Sequence, residues 1–560
     1  MKITKAVVFF LAIMVSVQLV ACSGGGKPAV SSDGISGGTG EATESQPQTN
    51  APDGFSSWMT DGFVKVKGED SAPKTTVTSY TVYSAKNERE SCQVSFRSEK
   101  RLSGLTFRMA NEDYEGIKVE LFWENIVVAA KREWPDALSP LNETFYLRPN
   151  KTRSVLIRFS VGKDAGAGEY TYTFELKNKD GIIGIYTVTL HVWNITYPDT
   201  PSMSSAVGID KQAIAYQYGY ISEANDPIPE EHSEAIDAIY KEYFDYLLDN
   251  RITAFNLPYD ILDDRANEYL NDPRLTGIYV SHELDDETLL KTYEKLKSNP
   301  EWMAKAYMYP VDEPTSAAML DDIKEKVDRL RTLCPEMKFA TSFFMNLDYD
   351  ENTDEIGFLA DVLDILCLKT KCWRDADMYS AAQAKKYPKM TERTRLLQRQ
   401  GKTVWSYVCW EPGYPYTNLF VNESGLDHRV LFWQQYDVGS QGFLYWSVNF
   451  WKAVNDPWIN MSTVNWLDPE VYGDGSLLYN GNHVGITGPC SSKRFEAVRD
   501  GIEDYELLKM AEEALGSEWL NGMIDKVTTD MINYTTYDAE FIGTRIAIGD
   551  ALETALSGKT

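Results

Sequence analysis

Ala306-Tyr307-Met308-Tyr309-Pro310-Val311-Asp312-Glu313-Pro314 reads as a short apolar strand that ends on two adjacent carboxylates, and Ser316 to Leu333 follows as an amphipathic helix. A strand handed straight to a helix is one parallel βα unit. The same alternation extends to both sides. Strands are expected at Ser204–Ile209, Ile252–Leu257, Gly277–Ser281, Ala304–Val311, Lys338–Phe344, Leu363–Leu368, Thr403–Val408 and Gly442–Ser447, with further helices at Glu234–Asp249 and Asp427–Tyr436. Eight strands is the number that closes a (β/α)8 barrel, and the span from 198 to 515 suits one with long loops. A doubly wound open sheet is the main competitor, but no GxGxxG or Walker loop follows an early strand.

Upstream the texture differs. Thr76–Ser84, Ser91–Arg97, Lys118–Trp123, Ser154–Val161, Tyr170–Leu176 and Ile185–Trp193 are rich in Val, Ile, Thr and aromatic residues, several of them alternating, with turns such as Lys179-Asp180-Gly181 between them. This predicts an antiparallel sandwich over 54–197. Tyr197-Pro198-Asp199-Thr200-Pro201 marks the change of texture. The fold class expected is therefore multidomain, β plus α/β: an N-terminal antiparallel β-sandwich followed by a (β/α)8 TIM-like barrel, with residues 516–560 as a helical tail packed on the barrel.

The first 22 residues carry Lys2 and Lys5, an apolar run from Ala6 to Val20 too short to span a bilayer, and then Leu19-Val20-Ala21-Cys22. The ending resembles a bacterial lipobox, which implies cleavage before Cys22 and lipid attachment to it. Residues 23–53 are dominated by Ser, Gly, Thr, Pro and Gln and read as a flexible tether. The expectation is an exported lipoprotein, held by its N-terminal lipid anchor alone, on the periplasmic side or at the cell surface.

Composition narrows the function. Acidic residues number 83 against 55 basic ones, a formal charge of −28, so a nucleic-acid partner is not expected. Seven cysteines form no CxxC pair and five histidines are scattered, which gives a metal site little support. Aromatic residues make up 12% of the chain. Trp373, Tyr407, Trp410, Tyr445 and Trp446 fall at or near the ends of strands six to eight, where rings can stack on the C–H faces of a sugar. Asn346 and Asn449 are candidates for bonding its hydroxyls.

In a barrel, strand ends carry the chemistry, which singles out Asp312 and Glu313. Successive strand side chains point to opposite faces, so both can face one substrate only where the backbone leaves extended geometry. An alternative is that Asp-Glu-Pro merely starts the following helix. Asp-Glu-Pro, Gly442-Phe443-Leu444-Tyr445-Trp446, Gly473-Asp474-Gly475 and Arg499-Asp500-Gly501-Ile502-Glu503-Asp504-Tyr505-Glu506, in that order, resemble glycoside hydrolase family 123. Lys86-Asn87-Glu88-Arg89-Glu90 with Gln93 resembles the N-terminal sandwich of the same proteins. The Arg499–Glu506 segment itself reads as structural, an amphipathic helix whose charges pair or face solvent.

The resemblance implies a retaining exo-glycoside hydrolase that removes β-linked N-acetylhexosamine, N-acetylgalactosamine in the first place, with the sugar's own 2-acetamido oxygen as nucleophile. It implies that Asp312 orients the acetamido nitrogen and that Glu313 serves as acid and then base, in donor-rich and aromatic settings respectively. That chemistry requires no metal or cofactor, and the partner is a glycan or glycoconjugate. Two alternatives stay open: a barrel glycosidase acting on a different sugar, and a non-catalytic glycan-binding lipoprotein.

Overall fold

The computed structural model describes residues 49–129, 131–344, 354–373, 389–454, 456–461 and 471–558. Cys22, the signal segment, most of the tether and Asn346 lie outside them.

Ten strands build two five-stranded sheets. One takes the order β1 (Phe55–Asp61), β3 (Glu88–Ser98), β8 (Arg153–Val161), β5 (Ile117–Ala129), β6 (Arg132–Pro140), all antiparallel. The other runs β2 (Ser79–Lys86), β10 (Gly181–Thr196), β9 (Gly168–Asn178), β4 (Leu102–Met109), β7 (Phe145–Leu147), and here β2 joins β10 in parallel. Alternation does the sorting: Val155, Ile157 and Phe159 from β8 meet Tyr186, Val188 and Leu190 from β10 in one core.

The second half forms a curled parallel sheet of seven strands. In chain order they are β11 (Ser204–Val207), β12 (Ile278–Tyr279), β13 (Ala306–Met308), β14 (Lys338–Phe343), β15 (Ile365–Lys369), β16 (Thr403–Tyr407) and β17 (Gly442–Tyr445). They pair in the order β11-β17-β16-β15-β14-β13-β12. The strand expected at Ile252–Leu257 contributes a single parallel bridge, Val207 to Ala254. Among the described residues no ladder joins it to β12, so eight segments follow the expected order while closure of the barrel is not seen. Side chains stand in for the ladder, with Thr253 Oγ1 2.9 Å from Thr276 Oγ1. Between strands lie helices such as α1 (Glu230–Asp249), α2 (Ala317–Leu333) and α3 (Gly425–Asp437). In α2, Leu320, Ile323, Val327 and Leu330 recur at helical spacing and all are buried.

The two layers join through α4 (Lys493–Leu515), which carries the Arg499–Glu506 segment. Of the two fates expected for its charges, pairing is the one found. The polar outer face of the first sandwich sheet is covered rather than solvated. Arg158 on β8 bonds Glu496 at 2.9 Å, and Lys493 and Arg494 bond Glu124 and Asp136 at 3.0 and 2.8 Å. Asp504 receives Arg429 Nε at 2.6 Å and Arg545 Nε at 2.7 Å, and these two arginines also hold Glu90 and Glu88. Gly501 lets α3 and α4 touch, since a Cβ there would come within 2.2 Å of the Phe432 ring. Arg545 belongs to α5 (Asp538–Ser557), the tail helix, which packs on α4 and on sandwich strand β10.

Candidate active site

Side chains of the parallel strands alternate between the helical layer and the sheet interior. Tyr307, Ala340, Ile365, Cys367, Trp405, Tyr407 and Leu444 fill the interior, with Tyr309, Phe344 and Trp446 packed on them at the strand ends. The acid pair lies just beyond β13 in this setting. Glu313 has φ +37°, in the left-handed region that a residue with a Cβ rarely enters, so the backbone does break at the pair. The helix-start alternative fails: the N-cap of α2 is Ser316, whose side chain accepts from the Met319 N–H at 3.4 Å.

A compact network holds the two carboxylates in different environments. Tyr309 and Ser342 hydroxyls each donate to Asp312 Oδ1 at 2.7 Å. Ser342 Oγ also accepts the Glu313 backbone N–H at 3.0 Å, and the Ser342 N–H donates to the Tyr309 hydroxyl at 3.0 Å. One serine therefore fixes the separation of the pair. Glu313 Oε1 accepts from the Tyr407 hydroxyl and lies 3.4 Å from Lys369 Nζ. Burial, then Asp312, pushes the Tyr309 phenol well above its ordinary pKa, and burial, then Glu313, does the same to Tyr407, so both remain donors at neutral pH.

Lys369 is 1% exposed. Its ammonium sits 4.7, 5.4 and 5.6 Å from the ring centres of Phe344, Tyr407 and Trp410, and 4.0 Å from Glu411 Oε2. Burial works against the charge, but Cys409, Glu313 and Glu411 outweigh it and hold the pKa above the ordinary lysine value. The aromatic setting expected for Glu313 is present, and a cation that the sequence reading did not assign stands inside it.

Of the expected wall residues, Tyr407 and Trp410 meet at the acid pair, Trp410 with 37% of its surface exposed. Trp446 joins the rings at the interior end. Its indole N–H donates to both oxygens of Asp474 at 3.1 Å, and the Tyr445 hydroxyl reaches the same carboxylate at 3.2 Å. Gly475 makes room for that indole, which a Cβ would approach to 2.2 Å. Burial raises the Asp474 pKa to about 6 against these donors. The Gly473-Asp474-Gly475 turn thus has a definite task, to fix Trp446.

Three expected residues are placed elsewhere. The Tyr445 ring, adjacent in sequence to Trp446, points to the opposite side of the sheet and is fully buried against the helical layer. Trp373 packs in that layer too. Asn449 is enclosed and uses its amide on the backbone of Asp210, accepting at 2.7 Å and donating at 3.0 Å, which clamps the loop after β11. Among the described residues, no three His, Cys, Asp or Glu side chains come together as metal ligands.

The family model for the glycoside hydrolase 123 catalytic domain matches residues 281–511, from just beyond β12 into α4. Over that span the chain is similar to the catalytic domain of family 123 glycoside hydrolases. Every residue of the acid-pair network falls inside the matched span. A family 123 glycoside hydrolase from Clostridium perfringens, described for glycolipid glycan hydrolysis, has a similar fold, with a TM-score of 0.60 at 12% identity over 90% of this chain and 98% of that one. A family 39 glycoside hydrolase from Bacteroides cellulosilyticus WH2 gives 0.31 at 9% identity, over 75% and 81%. No curated protein matches the sequence. The matched span thus takes in five parallel strands, β13 to β17, and most of the helix that locks them to the sandwich.

Proposed function

We propose that the protein is a retaining exo-glycosidase that releases β-linked N-acetylhexosamine, with N-acetylgalactosamine the favoured sugar, by attack of the substrate's own acetamido oxygen. The observation that carries this reading is the contrast between neighbours: Asp312 is held by two neutral hydroxyls while Glu313 faces a phenol and a buried ammonium.

In the first step protonated Glu313 gives its proton to the glycosidic oxygen. The acetamido oxygen bonds to the anomeric carbon, the carbon–oxygen bond to the leaving group breaks, and the aglycone departs as an alcohol. Asp312 accepts a hydrogen bond from the acetamido N–H as positive charge grows on the resulting oxazolinium ring. Lys369 stabilises the Glu313 carboxylate left behind. In the second step that carboxylate takes a proton from water, whose oxygen attacks the anomeric carbon and reopens the ring with the β configuration retained. Trp410 and Trp446 supply ring faces for the sugar. The C. perfringens relative, described for glycolipid glycan hydrolysis, makes membrane-borne glycoconjugates a substrate class to test first, in keeping with an enzyme tethered through Cys22.

The test is hydrolysis of an aryl β-N-acetylgalactosaminide beside its gluco epimer and the matching sugars without the acetamido group. Cleavage confined to acetamido sugars, lost by orders of magnitude in Glu313→Gln and Asp312→Asn, is the expected result. Cleavage of sugars lacking the group would replace this reading with that of a different glycosidase, and binding without turnover would make the protein a lectin-like module.

A further inference from the structure

On a chain of formal charge −28, three guanidinium groups gather at one phenol of the sandwich. Arg148 holds the pKa of the Tyr146 phenol below its ordinary value, and Arg101 and Arg153 add to the same field. Arg101 lies over the Tyr146 ring, 4.8 Å from its centre. Among the described residues none of these three arginines has a carboxylate within ion-pair distance, whereas Lys151 beside them is paired with Glu69 and Glu133 at 3.2 and 3.0 Å. Unpaired arginines in so acidic a molecule are poorly explained as packing, because carboxylates are plentiful and guanidinium groups pair readily with them.

Arg148 and Arg153 border a groove of about 750 Å³ that runs between the sandwich and the segment after β17 and shares no lining residue with the acid-pair network. Its sandwich side presents Trp123 and Phe145, ring centres 4.8 Å apart, and Tyr146, 43% exposed. The later segment adds Trp458 stacked on His483 at 4.8 Å and 12°. The exposed Tyr146 ring and the partly exposed Trp123 and Phe145, beside unpaired guanidinium groups, match a ligand with apolar C–H faces and anionic substituents in alternation. A sugar chain bearing carboxylate or sulfate groups has that character. The overall negative field opposes nucleic acid, whose charge density is far higher.

We propose that this groove is a second carbohydrate site, one that takes an acidic saccharide. The site does not depend on the hydrolytic reading, and probes without acetamido groups keep the two apart. Calorimetry on the full chain would use an oligogalacturonide hexamer, carrying carboxylates only, a κ-carrageenan hexasaccharide, carrying sulfates only, and neutral cellohexaose. At least one acidic hexamer is expected to bind about tenfold or more tightly than cellohexaose, and raising salt from about 0.05 to about 0.3 M should weaken it. The double variant Arg101→Glu/Arg148→Glu, altered at two exposed positions, should lose that binding about tenfold or more while keeping its melting temperature and its aryl-glycoside turnover. Equal binding of cellohexaose, acidic binding untouched by the double variant, or no binding of any of the three would overturn the proposal. Tighter binding of a poly-glutamate peptide than of either acidic sugar would do so too, and would assign the patch to a protein partner.

Discussion

Lys369 Nζ lies 3.4 Å from Glu313 Oε1, and the lysine is almost wholly enclosed by Phe344, Tyr407 and Trp410. A buried ammonium at that range interacts with the carboxylate more strongly than it would in water. In the proposed cycle it favours the state in which Glu313 has given up its proton. Lys369→Met should therefore lower kcat on a p-nitrophenyl substrate roughly 10- to 100-fold, about 1.4 to 2.7 kcal/mol, with a smaller change in KM. Steady-state kinetics would check it.

The acid role of Glu313 makes a prediction of its own. An aglycone that leaves without help, such as 2,4-dinitrophenol, has little need of protonation. Glu313→Gln should lose far less of the first step on that substrate than on a p-nitrophenyl or alkyl glycoside, and the difference should reach roughly 100-fold or more. Burst-phase measurements on the three aglycones would reveal it.

Ser342 Oγ joins Asp312 to the Glu313 backbone. Ser342→Ala removes both contacts and leaves the strained turn unsupported. The expected loss is about 1 to 3 kcal/mol in kcat/KM for acetamido substrates, with the fold retained. Circular dichroism alongside kinetics would separate the two effects.

Asp474 gives a pH signature. Its pKa, about 6 when folded against an ordinary value of 3.8, means that the folded state binds the proton more tightly. Its contribution to stability is fully present below about pH 4, falls as pH rises toward 6, and is flat above that. In denaturant titrations from about pH 4 to about pH 7, the stability of the wild type relative to Asp474→Asn should decline by roughly 2 to 3 kcal/mol. Trp446 fluorescence should report the same transition, since its indole N–H is the donor.

Asp504 holds two arginines at once, Arg429 and Arg545. Asp504→Ala would remove the carboxylate that both buried arginines share, leaving Arg429 to Glu90 and Arg545 to Glu88, and should cost about 3 to 5 kcal/mol, visible as a large fall in melting temperature. A surface pair such as Lys291 with Glu287 should be nearly silent by comparison.

Strand order and the acid pair were legible because each rests on a local signal: alternation of strand and helix textures, and two carboxylates at a strand end. The wall residues were less legible, since position near a strand end says nothing about which face a side chain takes. Period two supplies the missing information. Tyr307 and Tyr309 share one face of β13 and its extension, and Trp405 with Tyr407 and Leu444 with Trp446 follow the same parity. Applied strictly, that rule excludes Tyr445 and places Ile365, Cys367 and then Lys369 on the interior face. Asn449 shows a different limit, because an amide that closes a loop on a distant backbone has no sequence signature. The charges of Arg499–Glu506 were expected to pair or to face solvent; all are enclosed, Arg499 pairing within its own helix and Asp504 taking partners 75 and 41 residues away, which local periodicity could not show.

Glu88 and Arg545 are bonded across 457 residues of chain. During biosynthesis Glu88 must therefore wait for the helix of Arg545 to emerge before it is paired, while Glu90 can already meet Arg429. A nascent or prematurely terminated chain would hold Glu88, Glu90 and Asp504 together without one of their two arginines. The helix that carries Arg545 thus settles the charge balance of a strand laid down far earlier in the chain.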